Sequence, residues 1–258
     1  MKFHNRHLDT LANGHSKILV FDCEFWHVLG TKDDKKMKYP PDKNFYFLPR
    51  EIGGFTLTKQ TDGSWKYKEP FFVAFKPPKK DIAFPISHFS TVTPQTGYKL
   101  DFLEKQLGLG WGESYPSKLS DIGKKAHDEG IQLYLNDANI KQHIKPSSWY
   151  KTFMKSYSDS IIVVKGTYDI EALENASHVY DFKYNEPKDI NDIAEWNIES
   201  SKKCGSAKLE KTYLCIEREL DDETAKLAEI LPLEKAHDPS TDASMTLLVA
   251  LYIISKQP

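Results

Sequence analysis

Cysteine, long apolar runs and an excess of positive charge are all scarce in this 258-residue chain. The three cysteines, Cys23, Cys204 and Cys215, are an odd number whose spacings match neither a disulfide framework nor a zinc pattern. Cys23 lies inside an apolar run and is expected to be a buried free thiol, which points to a reducing compartment. The longest apolar stretches, such as LLVALYII at 247–254, fall short of the roughly 20 residues that span a bilayer. The N-terminal MKFHNRHLDTLANGHSK lacks the apolar centre of a secretory signal. An intracellular protein, cytoplasmic or nuclear and without a membrane partner, is the expectation. Net charge is −2, which excludes a protein that coats long nucleic acid by phosphate neutralisation alone. It leaves room for an enzyme acting on a short end, where metal ions supply local positive charge.

Aromatic residues are plentiful: 13 Tyr, 14 Phe and 5 Trp predict an aromatic-rich interior or an aromatic-lined groove. Ile18–Trp26 (ILVFDCEFW) has the β-branched and aromatic character of a buried strand. The Lys- and Pro-rich stretch at 27–50 predicts a loop or insertion, and 95–158 a second, helical one. Arg50–Lys59 and Ser64–Phe75 are strand-like runs around an Asp62-Gly63 turn. Helices are expected at Leu100–Leu107, Leu119–Leu135 and Ser148–Tyr157. A second buried strand, Ser160–Lys165, leads through Gly166 into a helix at Tyr168–Ser177. After irregular or weakly helical chain at 181–205, helices are expected at Ala207–Leu220, Thr224–Leu231 and Pro239–Ser255, the last apolar nearly all round and therefore buried. With no repeat and no low-complexity linker, one α/β domain over 1–258 with helical insertions is the expected organisation.

Chemistry enters with the acids. Asp22 and Glu24 interrupt the first strand, and alternation places them on one face about 7 Å apart. Burying two carboxylates costs several kcal/mol unless cations pair with them, and no Lys or Arg occurs between Val20 and Val28. Either that face is the solvated side of an edge strand, or it meets a metal. Near the other end, Asp238 is a natural N-cap and Pro239 a natural first helical residue. Asp242 falls in the first turns of that terminal helix, bordering its apolar stripe, and His237 precedes the helix where it can titrate. Asp169 opens the mid-chain helix; alone, such an acid is a favourable helix-dipole contact.

The order is more specific than its parts. A strand D-x-E, Asp169 in GTYDIEAL, and H-x-x-x-x-D in AHDPSTDA resemble the DEDDh 3′→5′ exonucleases, a family that includes RNase T and the proofreading exonucleases of DNA polymerases. FDCEF and REIGGFTL match that family's first two strands. The resemblance implies an RNase H-like mixed β-sheet flanked by helices. It implies that Asp22, Glu24, Asp169 and Asp242 ligate two Mg²⁺ (or Mn²⁺) ions, with His237 as general base. The partner would be single-stranded RNA or DNA with a free 3′ end, and the products nucleoside 5′-monophosphates. Phe25 and Trp26 are candidate stacking partners for the terminal base, with Cys23 beside them; core packing is the competing role and the favoured one for Phe25. Phe25 also stands where family members often carry a small Thr or Ser, and the long spacing from Glu24 to Asp169 implies inserted elements. Tyr168 is expected to pack, and Lys202, Lys203 and Lys208 to line a phosphate path or, more commonly, a solvated loop. Two alternatives stand beside this: a nucleic-acid-binding protein that kept the fold without the activity, and another two-metal nuclease or phosphatase in which His237 has no role.

Overall fold

Strand β2, Lys17–Leu29, is the axis of the molecule. The structure is a computed structural model, and it describes residues 2–29, 35–78, 83–84, 124, 128, 131–132, 134–138, 140–196, 202–233 and 238–257. Ile18 to Phe21 are all buried, because both faces of β2 are covered. Ile18 and Val20 join a cluster with the terminal helix, whereas Leu19, Phe21 and Cys23 join a second cluster on the opposite face. A continuous apolar run is the signature of such a strand.

β2 pairs antiparallel with β3, Phe45–Lys59, along its whole length. β3 in turn holds β4, Trp65–Tyr67, and β5, Phe71–Phe75, both antiparallel. The short β1, Lys2–Phe3, closes that edge against β4. On its other side β2 pairs parallel with β8, Ile161–Val164, which pairs parallel with β9, Asp189–Asp192. Short strands β6, Ala83–Phe84, and β7, His143–Ile144, pair with β2 and β5. The result is an open mixed sheet with the order β1-β4-β3-β2-β8-β9.

Helices lie on both faces. α1, Arg6–Ala12, packs into the first cluster. α2, Pro146–Ser158, and α3, Tyr168–Val179, cover the second. After the single turn α4, Ile193–Trp196, come α5, Leu209–Ile216, and α6, Asp222–Ala228. The chain ends in α7, Pro239–Ser255, buried nearly all round.

Several expectations need correcting. The predicted 27–50 loop is strand at both ends: β2 runs on to Leu29, and β3 begins at Phe45, where FYFL was hidden among Pro and Lys. The predicted strand Ser64–Phe75 is broken before Pro70, which has no N–H for a ladder. β9 lies within chain expected to be irregular or weakly helical, whereas the single turn α4 fits that expectation. Cys204 and Cys215 form a disulfide, contrary to the expectation from spacing; α5 folds back to bring their Cα atoms to 5.8 Å. Cys23 is the free, buried thiol expected. The helix expected at Leu100–Leu107 lies outside the described residues, as does much of Leu119–Leu135. Among the described residues, no helix is long and apolar enough to cross a membrane.

Candidate metal centre

The pairing of β2 with β8 ends at Val20↔Val163, so β2 outruns its parallel neighbour. Asp22, Cys23 and Glu24 occupy that overhang. The amide of Cys23, with no β8 partner in register, donates to Asp169 Oδ1 at 2.8 Å. Asp169 reaches it from the first turn of α3, directly after β8 and the turn at Gly166, whose φ is 106°. That turn is held by Asp192, which accepts from the Gly166 amide at 2.7 Å. Asp192 falls in the stretch expected to be irregular or weakly helical, and nothing in its sequence context marks it.

Asp22 and Glu24 share a face, as alternation requires, and that face meets α7. Asp238 caps α7 by accepting from the Ser240 amide at 2.9 Å, and Pro239 takes the first helical position. Asp242 follows in the first turn, where the helix dipole favours a negative charge. Asp22, Glu24 and Asp242 each offer a carboxylate oxygen, and these atoms lie within 4.8 Å of one another. The approach depends on Gly53, which pairs with Asp22 across the β2–β3 ladder. A Cβ there would lie 2.4 Å from the Ser240 nitrogen and 2.8 Å from the Pro239 carbonyl carbon. Only glycine lets the start of α7 sit this close to the sheet.

Arg50 was not anticipated. Glu24 pairs with Glu51 but Phe25 pairs with Pro49, so Arg50 is the extra residue of a β-bulge. Pro49 beside it is tolerated because a bulge leaves the ladder open. The bulge turns the Arg50 side chain inward, only 3% exposed, with Nη2 3.9 Å from Glu24 Oε2 and Nε donating to Glu51 Oε1 at 3.2 Å. Its backbone carbonyl accepts from the Tyr134 hydroxyl at 3.1 Å. A cation that β2 lacks between Val20 and Val28 therefore comes from β3, a cross-strand contact that local sequence cannot display.

Arg50 beside Glu24, and Lys165 acting on Asp22, oppose the repulsion within the cluster without cancelling it for Asp22. Burial, then the charges of Asp169, Asp242 and Glu24, push the Asp22 carboxyl well above its usual range. Burial pushes Asp169 up to about 7, against the opposing effect of the Cys23 amide. Three carboxylates that bring oxygen atoms within 4.8 Å of one another suit a divalent cation better than a solvent-facing strand edge.

Of the expected ligands, Asp22, Glu24 and Asp242 come together, and Asp169 stands beside them on the Cys23 amide. His237 lies outside the described residues. Trp26 is fully buried against Tyr134, with ring centroids 4.9 Å apart, and Cys23 is buried as well. Phe25 is half-buried and meets Phe47 at 4.8 Å. Lys203 pairs with Glu219 and Tyr252, about 15 Å along α7 from Asp242 at 1.5 Å per residue. Compared with known protein families and with curated protein sequences, the chain matches none.

Proposed function

We propose that the chain is a metal-dependent 3′→5′ exonuclease on an RNase H-like fold, acting on RNA or DNA in a cellular compartment. The observation that carries the proposal is the convergence of Asp22, Glu24 and Asp242 from opposite ends of the chain onto one point beside Asp169. The order and setting of those residues, with the sheet arrangement in which β3 runs against the parallel β2, β8 and β9, fit the same family resemblance.

The donor set is all oxygen and anionic, which suits Mg²⁺ or Mn²⁺. Asp22, Glu24 and Asp242 would hold the ions, with Asp169 as the fourth carboxylate. A pair of divalent ions supplies charge stabilisation to the attacking and leaving oxygens of a phosphodiester. The chain's own residues do the rest. Arg50 holds Glu24, the Cys23 amide holds Asp169, and Gly53 lets α7 present Asp242. His237, one residue before the α7 cap, takes a proton from the attacking water.

The test is incubation of the purified chain with Mg²⁺ or Mn²⁺ and end-labelled single-stranded and duplex RNA and DNA. Nucleoside 5′-monophosphates released from the 3′ end, and their loss in Asp22→Ala, are expected. His237→Ala should lose most of the rate while still binding metal; full activity in that variant would favour a two-metal hydrolase without a histidine base. A wild-type chain that binds single strands without cleaving them would mark it as a binding protein.

A further inference from the structure

Arg50 and Lys165 both serve the acid cluster, but they differ in what they can reach. Arg50 is buried and held by Glu24 and Glu51. Lys165 is only half-buried. It is the first residue past β8, and the parallel register places it: Val163 lies beside Val20, so two residues further on Lys165 comes level with Asp22. Val20 and Val163 both belong to the cluster beneath α7, and alternation keeps Asp22 on that face. Burial and the charges of Asp169, Asp242 and Glu24 raise the Asp22 carboxyl, and Lys165 is the cation that opposes them. Among the described residues, the Lys165 ammonium closes no direct ion pair.

The root of this side chain is fixed. Val164, just before it, pairs with Asp192 across the β8–β9 ladder. Gly166, just after it, donates its amide to Asp192 Oδ1 at 2.7 Å, and the same oxygen accepts from the Ala194 amide at 2.8 Å. One carboxylate oxygen therefore ties the Lys165 turn to the end of β9 and the start of α4. Beyond that fixed root, a four-carbon stem leaves the ammonium able to change partners.

We propose that Lys165 is a phosphate-binding residue, which neutralises Asp22 in the metal-free chain and turns to a non-bridging oxygen of the substrate's 3′-terminal phosphodiester when metal occupies the carboxylates. This rests on the exonuclease reading and adds a substrate-contacting residue to it. The exchange follows from charge. Divalent ions on Asp22 repel a neighbouring ammonium, while an arriving phosphodiester brings the anion that it then lacks. Arg50 cannot serve, because it is enclosed and already holds Glu24 and Glu51. An ammonium is a point charge with rotatable donors, so it can follow a phosphate oxygen without the fixed geometry of a guanidinium. Lys165 and the metal therefore compete for Asp22 but act together on the phosphate.

The experiment compares two 5′-labelled thymidine oligonucleotides, one with an ordinary phosphodiester at its 3′-terminal linkage and one with a neutral methylphosphonate there. Their binding is measured by fluorescence anisotropy with Ca²⁺, whose looser geometry replaces that of Mg²⁺ to slow hydrolysis. Lys165→Met should weaken the phosphodiester end about tenfold, the order of one hydrogen bond to a charged group, and the methylphosphonate end less than about twofold. Lys165→Arg should restore most of the difference. In a Ca²⁺ titration without oligonucleotide, Lys165→Met should bind the metal at least about twofold more tightly, because a neighbouring positive charge has gone. A lysine with only a structural role would not move these two affinities in opposite directions. Melting curves check the fold, and Lys165→Gln carries the same test if Lys165→Met does not fold. Equal loss at both ends, or no loss at either, overturns the phosphate role, and so does tighter metal binding with unchanged oligonucleotide binding. Mononucleotide release by the wild-type chain would then leave the hydrolase standing. No binding to either oligonucleotide, together with no release, overturns both.

Discussion

Gly53→Ala is a one-carbon change whose effect follows from the approach of α7 to the sheet. The added Cβ would meet the Ser240 nitrogen at 2.4 Å, whereas ordinary contact begins at 3.4 Å, so the start of α7 must retreat by about 1 Å. Crowding of this kind in a packed interior costs about 1–3 kcal/mol. For a chain of this size that corresponds to a melting temperature lower by roughly 4–8 °C at the middle of the range. The functional loss should be larger in proportion. Asp242 rides on the displaced turn while Asp22 stays with the sheet, and a misplacement of about 1 Å at a reacting centre can cost on the order of a hundredfold in rate. The assay is a melting curve, a Mn²⁺ titration and a mononucleotide-release rate on the same preparation. The expected outcome is a modest fall in stability with a large fall in metal affinity and rate. Trimming the neighbour, in Gly53→Ala with Ser240→Ala, should not rescue the defect, because two of the closest atoms belong to the backbone. Unchanged metal affinity in Gly53→Ala, or full rescue by the second substitution, would refute the reasoning.

Two further perturbations test the electrostatics. Asp169 is held near 7 by burial, above the ordinary 3.8, so the folded state retains a proton that the unfolded chain has already released. The contribution of Asp169 to the stability of the metal-free protein is then fullest below about pH 4 and is lost as pH rises to about 7, on the order of 4 kcal/mol in all. Melting curves at pH 5.5 and 8 check this, and Mn²⁺ should raise the melting temperature more at pH 8; a metal-free protein that gains stability across this window would contradict it. Arg50→Met leaves Glu24 and Glu51 buried without their cation and should cost about 3–5 kcal/mol, part of it recovered when Mn²⁺ is added. A loss that Mn²⁺ does not touch would separate Arg50 from the metal centre.

The strand carrying Asp22 and Glu24, the helix opened by Asp169 and the capped terminal helix were all legible in the sequence, because periodicity and capping are local signals. The limits of α7 match the expectation at both ends, with Asp238 and Pro239 in their expected roles. What was not legible depends on pairing. The bulge that aims Arg50 exists only in the register of β3 against β2, and the need for glycine at position 53 appears only when α7 is laid across it. Asp192 belongs to a four-residue strand too short to announce itself. The disulfide joins cysteines whose spacing has no meaning until α5 folds back. Tyr168 packs as expected, on Phe47, while its remaining surface is exposed, a division that one residue's identity cannot show.

The central claim is that Asp22, Glu24, Asp169 and Asp242 form one hydrolytic metal centre. Its most direct test is the rate of nucleoside 5′-monophosphate release from a single-stranded 3′ end as Mn²⁺ is titrated into metal-free protein, for the wild type and Asp242→Asn. Release that rises from zero with added Mn²⁺ in the wild type, and stays near zero in Asp242→Asn at the same concentrations, is the predicted result. Release without metal, equal release by the variant, or none from either protein would contradict it.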